Sequence, residues 1–385
     1  MMKKIIGWLH LWLGISSGLV VMIVALTGSL LVFEDELEHL FQPSLYYVQV
    51  PAQAEKIPLS VLAADVKKSY PDYRLNSIIT ETEANRTVIF TVLKGKNAKT
   101  GKLIAMAVNP YTGKIIQAVE EKNRFFSVVL RLHRYLCMGE TGKVITGISC
   151  SIFVILIISG LVLWWPKRQN RKQRFRVKWN ASSYKRLNWD LHAVFGFYVN
   201  IILLFISLTG LVWSYKWVNN LIYYSFDGSL KAVKAKAPEN EPVKDSSLAY
   251  LDKILTTTGE KLAYPGTATI RFGEDSLAMS VIKENTTASI SNVSDILYFQ
   301  KGTGKLVQER LYDNESKGTK VRRIIYPIHT GSLYGWPTKI LALIAALTAA
   351  TLPVSGLIIY LGRKKKKKKP AKSLKKHVDA RVQYQ

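Results

Sequence analysis

Four stretches of the chain are apolar for long enough to cross a bilayer core, which takes roughly 20 helical residues at about 1.5 Å each. They are residues 5–33, 144–165, 191–213 and 340–361. The two long intervals between them change to the pattern of folded polar domains. Residues 59–70 carry apolar side chains at helical spacing, and 77–79, 87–93 and 102–108 alternate as strands do. The run Asn109-Pro110-Tyr111-Thr112-Gly113-Lys114 is a turn signal leading into a further strand at 115–119. The second interval repeats this order: a helix over 248–255, strands over 267–272 and 277–282, and a turn at Lys301-Gly302-Thr303-Gly304-Lys305. The first apolar stretch outruns the about 7–15 residues of a signal-peptide core and reads as an uncleaved anchor.

Charge turns this pattern into a topology. The net charge is +27 although 48% of the residues are hydrophobic. Four apolar runs argue against a basic nucleic-acid binder, so no nucleic acid is expected as a partner. Lys and Arg gather in three places: Lys3 and Lys4 before the first span, residues 167–186 between the second and third, and 363–369 after the fourth. The positive-inside rule puts all three in the cytoplasm, with both domain-like intervals outside. The lysine tail also suits contact with anionic membrane lipid. Cys137 and Cys150 form neither a disulfide framework nor a metal motif, and Cys150 reads as packing.

Four of the six histidines then stand out, because they repeat. Leu9-His10 is followed by Gly14 and Leu26-Thr27-Gly28, and Leu191-His192 by Gly196 and Leu208-Thr209-Gly210. His to Thr is seventeen residues in both copies, 10 to 27 and 192 to 209. Likewise His133 precedes Ser159-Gly160-Leu161, and His329 precedes Ser355-Gly356-Leu357. His to Gly is twenty-seven in both. Each unit holds an even number of spans, so the copies run parallel, related by an axis along the membrane normal. His10 and His192 then lie near the cytoplasmic face, and His133 and His329 near the outer face.

Imidazole at membrane depth is costly and marks a functional site by default. Two imidazoles facing across an apolar, aromatic slot suit the axial positions of a flat macrocycle, whereas tetrahedral zinc wants three or four ligands at one level. The reading is two haem sites, His10 with His192 and His133 with His329. Trp8, Trp12, Trp189 and Phe195 are candidates to line a ring slot, and Gly14 and Gly196 to let a ring approach the backbone. Arg131, Arg134, Arg322 and Arg323 are placed for carboxylates such as haem propionates. Each of these non-histidine residues also has a plain reading: Gly as a helix-packing contact, Trp as an interface anchor, Arg as a lipid-phosphate contact. The histidines themselves leave a proton path or a structural role open. His39 and His377 have no counterparts and read as solvated, with His39 a spare ligand candidate. His133 and His329 each lie eleven residues before their apolar run, about 16 Å of straight helix. Breakers at Gly139-Glu140-Thr141-Gly142 and Gly335-Trp336-Pro337 predict a bend that folds each histidine toward the bundle axis.

These residues, with the Val108-Asn109-Pro110-Tyr111-Thr112-Gly113-Lys114 turn, resemble the PepSY-associated transmembrane family, some members of which are called iron-regulated or iron-uptake membrane proteins. The resemblance spans about residues 3–363. It implies an α-helical membrane bundle of four transmembrane helices in two parallel repeats, with two extracytoplasmic α+β (PepSY-like) domains. The expected division is a first helix at 1–36 and a periplasmic domain at 37–123. An interfacial segment with the second helix follows at 124–168, a cytoplasmic basic loop at 169–187 and the third helix at 188–218. A second periplasmic domain at 219–322, an interfacial segment with the fourth helix at 323–363 and a basic tail at 364–385 complete it. The resemblance further implies an inner-membrane oxidoreductase with two haem b groups on His10, His192, His133 and His329. Such a protein would reduce a ferric siderophore on the periplasmic side. Some relatives carry a fused flavin domain, so here a cytosolic flavoprotein reductase or a quinol is the expected electron donor. The second turn lacks the Asn-Pro-Tyr portion. Two rival readings are a non-redox anchor whose PepSY domains bind a periplasmic protein, and a metal or proton transporter, which predicts acidic residues inside the spans.

Overall fold

The computed structural model describes every residue except 54, 96–100, 167–173, 182, 231–236, 241–246, 275 and 368–385. Expectations for His377, much of the basic loop and most of the lysine tail lie outside the described residues. The first half contains helices α1 (Met2–Leu31), α2 (Glu34–Phe41), α3 (Pro43–Tyr46) and α4 (Leu59–Ser69). Strands β1 (Arg74–Glu81), β2 (Val88–Lys94), β3 (Lys102–Val108) and β4 (Ile115–Glu120) follow, then α5 (Phe125–Tyr135) and α6 (Gly139–Trp164). The second half repeats the order: α7 (Tyr184–Tyr198), α8 (Asn200–Ser214), α9 (Lys216–Asp227) and α10 (Tyr250–Lys261). Strands β5 (Thr267–Arg271), β6 (Met279–Glu284), β7 (Ser294–Phe299) and β8 (Leu306–Arg310) come next, then α11 (Lys317–Thr330) and α12 (Trp336–Lys367).

Three helices, α1, α6 and α12, are long and apolar enough to cross a membrane, and α7 with α8 form a fourth crossing if the bent pair is counted as one. Leu19, Ile155, Ile201 and Phe205 on these helices are more than half exposed, an apolar belt that water would not tolerate and lipid would. The third crossing differs from the straight span expected over 191–213, because α7 meets α8 at 64°. Its causes are local. Residues Leu191–Phe195 form a single π-helical turn, and the buried Asn200 side chain donates to the Ile157 carbonyl of α6 at 3.0 Å. An extra residue in one turn and a side chain tied to a neighbouring helix both bend helices.

The eight strands form one antiparallel sheet, in the order β4-β3-β2-β1-β5-β6-β7-β8. Two separate outer domains were expected. Instead β1 and β5 pair antiparallel, Ser77 with Arg271 through Glu81 with Thr267, so the two intervals share a sheet. Each interval makes a four-stranded meander whose inner edge would otherwise present unpaired backbone groups, and each edge completes the other. One core underlies both halves: Leu62, Phe90 and Met106 pack in the same cluster as Leu251, Ile270 and Phe299. On α4 and α10 the Ser60 amide donates to Asp252 Oδ1 at 3.1 Å across the seam.

The two turns are equivalent despite their different sequences. In the first, Asn109 N–H donates to the Lys114 carbonyl and Gly113 N–H to the Asn109 carbonyl. In the second, Gln300 N–H donates to Lys305 and Gly304 N–H to Gln300. Gly113 and Gly304 take φ of +70° and +63°, where a side chain is disfavoured. Thr112 and Thr303 each accept from the lysine amide two residues on. Thr-Gly-Lys is therefore the part of the motif that the geometry needs.

Each histidine-bearing segment folds back. After α5 the chain reverses through Leu136 and Cys137, both at positive φ, slightly before the predicted breakers. Gly142 serves a different end: a Cβ there would overlap the Tyr135 carbonyl oxygen. After α11 the chain turns through Gly331 and Gly335. His133 therefore sits beside Val24–Gly28 of α1, within the bundle and not a helix length beyond it.

Candidate functional site

The fold gathers the four histidines into two levels. Near the sheet, His133 on α5 and His329 on α11 approach across the bundle, with ring centroids 6.2 Å apart and planes at 66°. Two axial imidazoles on one metal, each with a metal–nitrogen bond of about 2 Å and roughly 1 Å more to the ring centre, stand about 6 Å apart. Far from the sheet, His10 on α1 and His192 in the π-helical turn of α7 line one cavity.

Every histidine is held through Nδ1 by a hydroxyl of a neighbouring helix. His133 Nδ1–H donates to the Val24 carbonyl at 2.9 Å and to Thr27 Oγ1 at 3.1 Å. His329 Nδ1–H donates to the Ile206 carbonyl at 2.9 Å and Thr209 Oγ1 at 3.1 Å. His10 Nδ1 and His192 Nδ1 share hydrogen bonds with Ser159 Oγ and Ser355 Oγ, each at 2.8 Å. For His133 and His329 the carbonyl fixes the tautomer: a carbonyl can only accept, so Nδ1 carries the proton and Nε2 keeps its lone pair. The Ser159 and Ser355 hydroxyls, which also lie on carbonyls of their own helices, hold Nδ1 of His10 and His192. Metal-ligating histidines are usually oriented through their second nitrogen in this way. Beneath each ring lies a glycine: a Cβ on Gly28, Gly160, Gly210 or Gly356 would come within 3.1–3.4 Å of the imidazole Cε1.

The sequence reading treated Leu-Thr-Gly and Ser-Gly-Leu only as markers of the repeat. They are the seats of the histidines, and the recurrence of hydroxyl-plus-glycine at fixed distance from each His was the signal. If the sheet-side histidines ligate a metal-centred group, Thr27→Val should leave the fold intact and weaken its binding about 10–100-fold, the usual cost of losing such a partner. Titration of the metal-free protein with haem, followed optically, measures it.

Two cavities surround the histidine pairs. The cavity holding His10 and His192 has a volume of about 850 Å³, and Gly14, Gly196, Trp8 and Trp189 line it as expected. The cavity holding His133 and His329 has about 350 Å³ and includes Arg134. Several candidates are displaced. Trp12 and Arg131 line neither cavity. Phe195 is likewise absent from the lining. Arg322 stacks on Trp213 and donates to Asn219, and Arg323 donates to Ser294. In their place Lys3, Lys4 and Arg174 lie at the larger cavity and Lys143 at the smaller. His39 is half-buried and lines neither of these two cavities; it packs edge-on against Tyr46 beside Arg86. Cys150 lines the smaller cavity, its Sγ 3.4 Å from the Ser207 carbonyl.

Glu34, beyond the end of α1, also lines the smaller cavity. Burial first, then the neighbouring Glu38 and Asp35, push its carboxyl up to about 7 from 4.5. The folded state holds this proton more tightly than the unfolded chain, so Glu34 costs stability as pH rises from about 4.5 through 7. Glu34→Gln should flatten that part of a thermal-stability profile.

Among the described residues no group of three or more His, Cys, Asp or Glu could hold a metal ion. Two levels of paired, oriented imidazole in apolar cavities fit axial ligation of a macrocycle, whose pockets commonly span about 300–1,000 Å³. No curated protein matches the chain. The PepSY-associated TM region family matches residues 7–363, nearly the whole length, and the chain belongs to that family of membrane proteins.

Proposed function

We propose that the protein is a di-haem b-type electron carrier of the bacterial inner membrane that reduces a ferric siderophore on the periplasmic side. The observation that supports this best is the four-fold repetition of one device: a histidine whose Nδ1 is hydrogen-bonded to a hydroxyl of a neighbouring span, over a glycine, leaving Nε2 available to a ligand. A structural histidine needs no such common seat. Haem, when bound, supplies a one-electron Fe(III)/Fe(II) couple.

The chain's own residues do the rest. His10 and His192 would hold the inner group, and His133 and His329 the outer one. Lys3, Lys4 and Arg174 at the inner cavity, and Arg134 and Lys143 at the outer, are placed for the haem carboxylates. The apolar walls exclude water. The lysine and arginine bias supports both termini in the cytoplasm and the sheet in the periplasm, where it would form two PepSY-like halves of a docking platform for the chelate. One electron reduces siderophore-bound Fe(III) to Fe(II), which hard oxygen ligands grip less tightly. The electron comes from a cytosolic flavoprotein reductase or a quinol.

An anaerobic redox titration of detergent-solubilised protein tests the proposal. Two b-type components are expected, each with a Soret band that shifts on reduction. Colourless protein from haem-replete cells would overturn it.

A further inference from the structure

The two cavities are separated by very little. Val21, Phe153 and Leu203 line both of them, one residue from each of three crossings. Their neighbours show the layering. On α6, Cys150 lies one turn to the sheet side, near His329, and Gly160 lies two turns to the other, beneath His10. Phe153 stands between.

The internal repeat exposes what is special here. The first histidine of each half is offset by 182 residues (10 to 192), which maps Val21 onto Leu203, one aliphatic residue onto another. The second is offset by 196 (133 to 329), which maps Phe153 onto Ala349. The histidines and their glycine seats obey these offsets without exception. The shared wall does not: a phenyl ring on one side answers a methyl group on the other. Ala349 is almost completely buried and lines only the sheet-side cavity. A pseudo-two-fold axis through the bundle has room for one large side chain, and small residues opposite, Ala345 and Ala349, leave that room to Phe153.

We propose that Phe153 is the spacer through which an electron passes between the two histidine levels, a positioning residue that sets the coupling of the sites without ligating either. This rests on the di-haem reading. One electron leaves the inner site, which is oxidised by one unit, and enters the outer site, which is reduced by one. No bond at Phe153 forms or breaks, and no proton moves. The ring fills the gap with bonded, polarisable matter and keeps water from the wall. Truncating it would leave a void, across which electronic coupling falls steeply.

The experiment is stopped-flow oxidation of stoichiometrically reduced protein by ferric citrate. It compares the parent with Phe153→Ala, Phe153→Leu and Phe153→Trp. Haem content and both midpoint potentials are measured for each. In the Ala and Leu variants the second half of the absorbance change should slow several-fold relative to the parent, with haem content and potentials unchanged, and Trp should restore the parental rate. If Ala loses haem, the Leu variant decides. Parental kinetics in a truncated variant with both haems bound would overturn the proposal, as would loss of haem from both Ala and Leu, which would make Phe153 a packing residue. A parent protein without haem would instead overturn the di-haem reading beneath it.

Discussion

On the proposed di-haem function, His133→Ala and His329→Ala proteins should each carry one haem where the parent should carry two, and should lose the ferric-chelate reduction expected of it. Either substitution removes one of two imidazoles whose ring centres lie 6.2 Å apart, so a single Nε2 would remain to hold the sheet-side group. The distal pair, seated on Ser159 and Ser355, shares no hydrogen bond with this level, so its band should persist at full intensity. That persistence separates loss of a ligand from loss of the fold. Pyridine haemochromogen analysis gives the ratio, and reduction of a ferric chelate by the pre-reduced protein gives the activity. If either variant keeps two haems per chain, that residue is not a ligand.

Gly142→Ala should have the largest effect on stability of any single methyl addition at the α5–α6 corner. The new Cβ would overlap the Tyr135 carbonyl oxygen, which is backbone and cannot swing aside. Relief requires the corner to open. That corner is tight: Leu136 and Cys137 already stand at positive φ, and the Thr146 hydroxyl donates to the Arg134 carbonyl at 2.9 Å across it. The cost should be on the order of 4 kcal/mol or more, in the range that only a few mechanisms reach. Opening the corner also withdraws His133 from Val24 and Thr27. The expected result is a lower melting temperature together with loss of the sheet-side haem. Gly139→Ala is a control, since nothing lies within 4 Å of a Cβ there. Its own positive φ should give a much smaller loss.

Much of this architecture was legible in the sequence because it rests on apolar length and on repetition. The spans, the helix at 59–69 and the strands at 102–108 and 267–271 follow from short-range pattern. The bent third crossing did not, because its causes are a π-helical turn and a long-range bond from Asn200 to Ile157. Helices α2 and α9 begin at equivalent places after their spans, yet one is acidic and the other aromatic, so the repeat was invisible there. Strands β7 and β8 do not show in the sequence because neither alternates: in β7 the buried residues Leu297, Tyr298 and Phe299 are consecutive, and the middle of β8 is exposed. The histidine pairing followed from spacing alone. The side chains around it did not, because which face of a helix meets a cavity depends on how neighbouring helices pack. Trp12 and Arg131 line neither cavity for that reason, whereas Arg174 and Lys143 do.

The seam between β1 and β5 has a further meaning. Its pairing is antiparallel and reciprocal, the geometry by which two identical subunits would meet on a shared dyad. A polypeptide of half this size could close the same sheet, and bring the same imidazoles together, as a homodimer. Joining the halves in a single gene frees them to diverge. A homodimer must place two phenyl rings, or none, beside its axis; the fused chain can place one.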